Sequence, residues 1–131
     1  METVFVDSTF IIADSREQDQ YHSRALELNK SISGRRVISD VILHEVLTFV
    51  KSRDGPDKAH GLGEKLLDVE NTIIIIPNLA ELVASLLILK KYEDLSFCDA
   101  LITVQMRRNG IKNLLSFDSG FDIVPWIQRI F

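Results

Sequence analysis

The sequence predicts an α/β fold: a three-layer α/β/α sandwich around a central, mostly parallel sheet. Short β-branched and aromatic runs alternate with longer helical segments along all 131 residues, the pattern of strands joined through crossover helices. One run, TIIII at 72–76, is apolar without interruption, as in a strand buried on both faces of a parallel sheet.

The elements follow in order. TVFVD (3–7) reads as a strand, and 8–13 as a short helix or turn. Residues 18–32, DQYHSRALELNKSIS, read as a helix closed by Gly34, followed by a strand at RVIS (36–39). A helix over 40–53 stops before Gly55–Pro56, because proline lacks the amide a helix interior needs. A further helix covers 57–69, with Gly61 and Gly63 as points of interruption. After strand 72–76, Pro77 ends the run and Asn78 opens a helix to residue 91. The next helix, 97–109, is closed by Gly110. NLLSF (113–117) is a strand and DSGFD a turn; a short strand near Ile123–Val124 and an apolar tail, PWIQRIF, finish the order. No repeat, low-complexity tract or linker divides the chain, so residues 1–131 are expected to form a single domain.

Composition narrows the function. Hydrophobic residues make up 46% and charged residues 26%, which suits a globular protein with one substantial core. No apolar run approaches the ~18 residues of a membrane span, and METVFVDSTF lacks the basic start and apolar stretch of a signal peptide. Cys98 is the only cysteine, so neither an intrachain disulfide nor a cysteine metal cluster is possible, and a reducing, cytoplasmic setting is expected. The net charge of −4 argues mildly against a nucleic-acid partner. Setting aside Asp7, Glu45, Asp99, Asp118 and Asp122 leaves 15 − 14 = +1, and basic pairs then stand out at Arg35–Arg36, Lys90–Lys91 and Arg107–Arg108.

Four acids, Asp7, Glu45, Asp99 and Asp118, occupy the contexts VFVDST, LHEVL, LSFCDALI and LLSFDSGFD. Asp7 ends the first strand and Asp118 follows the strand at 113–117. In parallel sheets the functional crevice lies beyond the carboxyl ends of the strands. Carboxylates converging there repel one another, and a divalent cation would relieve that repulsion.

Each acid also has a structural use. Asp7 could cap a helix, and Glu45, at the border of an apolar helix face, could simply be solvated. Ser96 and Asp99 have the S-x-x-D spacing of a capping box, and Asp118 and Asp122 bracket a Ser119–Gly120 turn. Other chemistries have little support. His22, His44 and His60 are dispersed, Thr48 breaks H-E-x-x-H, GLGEK is not a phosphate loop, no G-x-S-x-G occurs, and Cys98 reads as a core residue.

With those residues in view, the chain resembles the PIN domain family, and within it the short VapC-type toxins of toxin–antitoxin pairs. The likeness lies in VFVDSTFII, VISDVILHEVL and, most distinctively, LSFCDALITVQMRRNGIKNLLSFDSGFD. It implies that Asp7, Glu45, Asp99 and Asp118 hold Mg²⁺ or Mn²⁺, with Asp7 and Asp99 the principal ligands, and that Ser8 and Ser116 are hydroxyls beside the first and fourth acids. It further implies metal-dependent endoribonuclease action on single-stranded RNA, a cognate antitoxin whose extended segment enters the site, and a homodimer. Residues 79–89 and 125–131 are apolar enough to supply contact surface, though core packing is the simpler use. Three rivals stand beside this reading. One is an RNA-processing nuclease of the same fold without an antitoxin, and another a catalytically silent RNA- or protein-binding module. The third, a phosphatase with Asp7 as nucleophile, lacks a second Asp two positions on, where Thr9 stands.

Overall fold

The structure, a computed structural model, describes residues 2–131. Five parallel strands form one sheet: β1 (Val4–Val6), β2 (Arg36–Ser39), β3 (Thr72–Ile75), β4 (Asn113–Leu115) and β5 (Gln128–Ile130), in the order β3-β2-β1-β4-β5. Six helices connect them: α1 (Ser8–Ser15), α2 (His22–Ser31), α3 (Asp40–Asp54), α4 (Pro56–Leu66), α5 (Leu79–Lys91) and α6 (Phe97–Arg108), with a 3₁₀ turn at Ser119–Ile123.

Topology assigns the layers. From β1 the chain steps outward to β2 and then β3, and right-handed crossovers in one direction put α1–α4 on one face. It then returns past β2 and β1 to β4, which puts α5 and α6 on the other. The direction of winding therefore reverses between β1 and β4, the switch point where open parallel sheets form their crevice. β1 is buried at all three of its residues, and Phe5 and Leu114 are wholly enclosed. Helix α6, packed on α5, is buried at every residue from Ala100 to Met106, Thr103 and Gln105 included.

Helix ends follow the expected chemistry. Asn78 accepts from Glu81 N–H while Glu81 reaches back to Asn78 N–H, a full capping box for α5. Gly55 (φ 95°) and Gly110 (φ 67°) take up the left-handed backbone that lets α3 and α6 stop. Gly34 follows a different logic: its Cβ would overlap the carbonyl oxygen of Glu2, so the chain entering β1 can pass there only over a glycine.

Several expectations are corrected. Strand β3 is half-buried throughout and Ile76 beyond it is exposed, because β3 lies at the sheet edge and not inside it. Ile123–Val124 is not a strand: Ile123 closes the 3₁₀ turn, and the fifth strand is Gln128–Ile130, within the tail. Gly61 and Gly63 do not interrupt α4; Gly63 is buried with its missing Cβ 3.4 Å from Leu47, so it lets α4 approach α3 closely. Helix α2 begins at His22, not residue 18, since Asp19 draws the preceding residues into a turn by accepting from Tyr21 N–H. Residues 79–89 are only partly core: Glu81 and Ser85 are buried and Ile88 packs on the core, but Leu79, Val83, Leu86 and Leu87 are all more than half exposed. Among the described residues no helix is long and apolar enough to cross a membrane.

Candidate active site

Asp7 sits where β1 hands over to α1. Its backbone is in the helix-capping position, yet its side chain caps nothing. Oδ2 instead accepts from Ser116 Oγ (2.7 Å) and Thr9 Oγ1 (2.8 Å), and the residue is only 3% exposed. Burial raises its pKa from 3.8 to about 6; the two hydroxyls pull the other way, and the Asp99 charge adds to the rise.

The hydroxyls do more than hold Asp7. Thr9 Oγ1 lies 3.2 Å from Ser116 Oγ and accepts from Phe117 N–H at 3.0 Å. Ser116 Oγ accepts from Asp118 N–H at 3.0 Å. This network ties the end of β1 to the segment beyond β4, across the switch point. Asp118 turns its Oδ1 onto Gly120 N–H (2.8 Å), the expected turn contact, and so caps the 3₁₀ segment.

Glu45 projects from α3 and is exposed. Two donors fix it: Ser8 Oγ to Oε1 at 2.9 Å and Cys98 Sγ to Oε2 at 3.4 Å. Those donors are the neighbours of Asp7 and Asp99, so one carboxylate joins the first, second and third acidic segments. Cys98 is therefore not simply a core residue. It is half-buried, and burial with the Glu45 charge pushes its thiol pKa far up, keeping it a protonated donor.

Asp99 does form the expected capping box: Asp99 N–H donates to Ser96 Oγ and Ser96 N–H to Asp99 Oδ2, both at 3.1 Å. Oδ1 has no hydrogen-bond partner among the described residues. Burial raises the Asp99 pKa, the Ser96 bonds lower it, and the charges of Asp118 and Glu45 raise it again. Asp99 thus feels the charges of Asp118 and Glu45, and its own charge in turn raises the pKa of Asp7.

Asp122 stands apart. It makes a two-pronged pair with Arg129 (2.9 and 3.0 Å), which lowers its pKa, while Arg129 also donates to Ser116 O at 3.1 Å. Among the described residues no three His, Cys, Asp or Glu side chains are already gathered as a coordination sphere; the four acids share an electrostatic neighbourhood, not a closed cage. A cavity of about 500 Å³ bounded by Phe10, Asn29, Arg36 and Leu62 lies elsewhere and contains none of them.

The sequence reading missed Thr9, Cys98 and Arg129 as parts of this network. Thr9 was legible in principle, since D-x-T at a strand end places a hydroxyl where it can bond back to the acid. Nothing local marks Cys98 or Arg129.

A parallel sheet with acids at its switch point defines a class, and comparison with known families gives it a name: residues 4–127 match the PIN domain model, and the chain belongs to that family. Among individual proteins, it is 29% identical to VapC ribonuclease Mb1869c of Mycobacterium bovis, across 97% of this chain and 98% of that one. Its fold superposes on Mycobacterium tuberculosis VapC20, described as a sarcin-ricin loop cleaving toxin, with TM-score 0.87 at 24% identity, covering 95% and 96% of the two chains. It also superposes on a toxin–antitoxin complex from Klebsiella pneumoniae with TM-score 0.68 at 17% identity, covering 95% of each chain.

Proposed function

We propose that this protein is a metal-dependent endoribonuclease that hydrolyses phosphodiester bonds of single-stranded RNA as the toxin of a VapBC-type pair. The observation that carries the reading is Asp99, half-buried, with one oxygen spent on its helix and its proton affinity raised first by burial and further by the charges of Asp118 and Glu45. Carboxylates left to repel one another at a switch point suit a hard divalent ion, and all four are hard oxygen donors.

Asp7 and Asp99 would be the principal ligands of Mg²⁺ or Mn²⁺, with Glu45 and Asp118 completing the site directly or through water. Such an ion, when bound, supplies a more acidic water and neutralises charge on the reacting phosphate. The residues here do the positioning. Thr9 and Ser116 aim Asp7, Ser8 and Cys98 aim Glu45, and Ser96 fixes Asp99 at the start of α6. Incubating the protein with single-stranded RNA and Mn²⁺ and sequencing the ends should give discrete metal-dependent cuts that EDTA abolishes. Ends identical with and without metal would refute the assignment.

Two partners belong to the same reading. A cognate antitoxin would silence the enzyme by sending an extended segment into the acid site, where a basic side chain would compete with the metal. A homodimer is supported by α5, whose Leu79, Val83, Leu86 and Leu87 leave an apolar face uncovered beside Ile76. Light scattering at micromolar concentration should give a dimer, and Leu87→Glu should shift it to monomer. A wild-type monomer would remove α5 from consideration.

A further inference from the structure

We propose that Tyr21, stacked on Phe117, is a platform for a nucleobase flanking the phosphate that is cut; the proposal rests on the ribonuclease reading and names how that site holds its substrate. Three rings run in series from the core to the surface. Phe10 is buried; Phe117 lies 5.9 Å from it between centroids, 24° from parallel; Tyr21 lies 4.6 Å from Phe117 and only 8° from parallel. Phe117 covers one face of Tyr21, and the residue remains 42% exposed. A flat aromatic ring stacked on one side and still partly exposed offers every base the same kind of contact, as single-strand binders require.

Its position gives it relevance. Phe117 stands between Ser116, which bonds Asp7, and Asp118, and its own N–H donates to Thr9 Oγ1, which also bonds Asp7. The column is therefore built into the segment that carries the acids. Its backbone is fixed as well. Tyr21 N–H donates to Asp19 Oδ1 (2.8 Å), Tyr21 O accepts from Ala25 N–H (2.9 Å), and the adjoining His22 Nδ1 pairs with Ala13 O (2.7 Å). A ring held ready loses little freedom on stacking. Arg24, one turn along α2 and half exposed, bonds only Glu27 and the carbonyl of Phe131 among the described residues, and it offers a cation to the strand beside the platform.

The test uses the Asp99→Asn protein, so that RNA is bound and not cut, and a fluorescein-labelled pool of single-stranded 12-mers. Tyr21→Ala and Tyr21→Leu should each weaken binding by about tenfold. Leucine keeps apolar cover over Phe117 but lacks a π face, so its failure separates stacking from packing, while Tyr21→Trp should bind at least as well as tyrosine. An oligonucleotide carrying 2-aminopurine should be quenched on binding by the tyrosine protein and not by the leucine one. Full binding and quenching by Tyr21→Leu, with wild-type binding intact, would overturn the platform and leave the nuclease reading standing. So would a Tyr21→Leu protein that binds RNA normally but no longer binds its antitoxin, which would make the ring a protein contact. A wild-type protein that neither binds the pool nor cuts RNA with Mn²⁺ would overturn both.

Discussion

Asp99→Asn is expected to lower metal-dependent RNA cleavage by about a thousandfold, because a metal ion and its bound water supply several kcal/mol of transition-state stabilisation. The substitution is well suited to the question. Asparagine keeps a carbonyl oxygen that can accept from Ser96 N–H, so the start of α6 survives; loss of the charge at the helix terminus costs about 1 kcal/mol or less. What disappears is the negative charge that meets Asp118 and Glu45. Asp122→Asn is the matched control. That carboxylate is exposed and paired with Arg129, outside the cluster, so cleavage should be nearly unchanged. The measurement is single-turnover cleavage at saturating Mn²⁺, with circular dichroism to confirm the fold. A rate for Asp99→Asn within a few-fold of wild type would remove Asp99 from the metal site.

The reach of the sequence was set by what is local. Alternation of strands and helices is local, and so are the Asn78 and Ser96 caps; all were legible and all are present. The Ser96–Asp99 spacing suggested a choice between capping and a site role. The geometry allows both, because the box uses only Oδ2. Edge position is not local: TIIII reads as an interior strand by composition, yet order along the sheet leaves it at the rim. Three residues of β5 within an apolar tail carry no usable period, and the β-branched pair Ile123–Val124 just before it is the stronger local strand signal. The α5 leucines look like core until the fold shows no element over them. Contacts such as Cys98 with Glu45, 53 residues apart, and Thr9 with Ser116, 107 apart, exist only after folding, and they help determine where Glu45 and Asp7 point.

Asp7→Asn is expected to make the metal-free protein more stable by about 3 kcal/mol above pH 7. A pKa raised from 3.8 to about 6 in a side chain only 3% exposed means that the folded state disfavours the carboxylate by that order. The hydroxyls of Thr9 and Ser116 offset part of the burial cost, and they can rotate to serve an amide as well. The direction with pH is set by the raised value. Protonated Asp7 costs nothing below the unfolded pKa of 3.8, and the penalty grows as pH rises through 6. Melting in EDTA should therefore show a gap between Asp7→Asn and wild type that is full at pH 8 and closes towards pH 4. Asp99, whose pKa is also raised, acts in the same direction with less burial. Divalent metal should reverse the ranking, because a cation compensates the buried charge only where a charge exists: Mn²⁺ should raise the wild-type melting temperature and leave Asp7→Asn nearly unmoved. A protein can carry so costly a group when function depends on it. If Asp7→Asn were instead less stable at pH 8 without metal, the hydroxyl bonds alone would account for the carboxylate, and no ion would be needed to explain its burial.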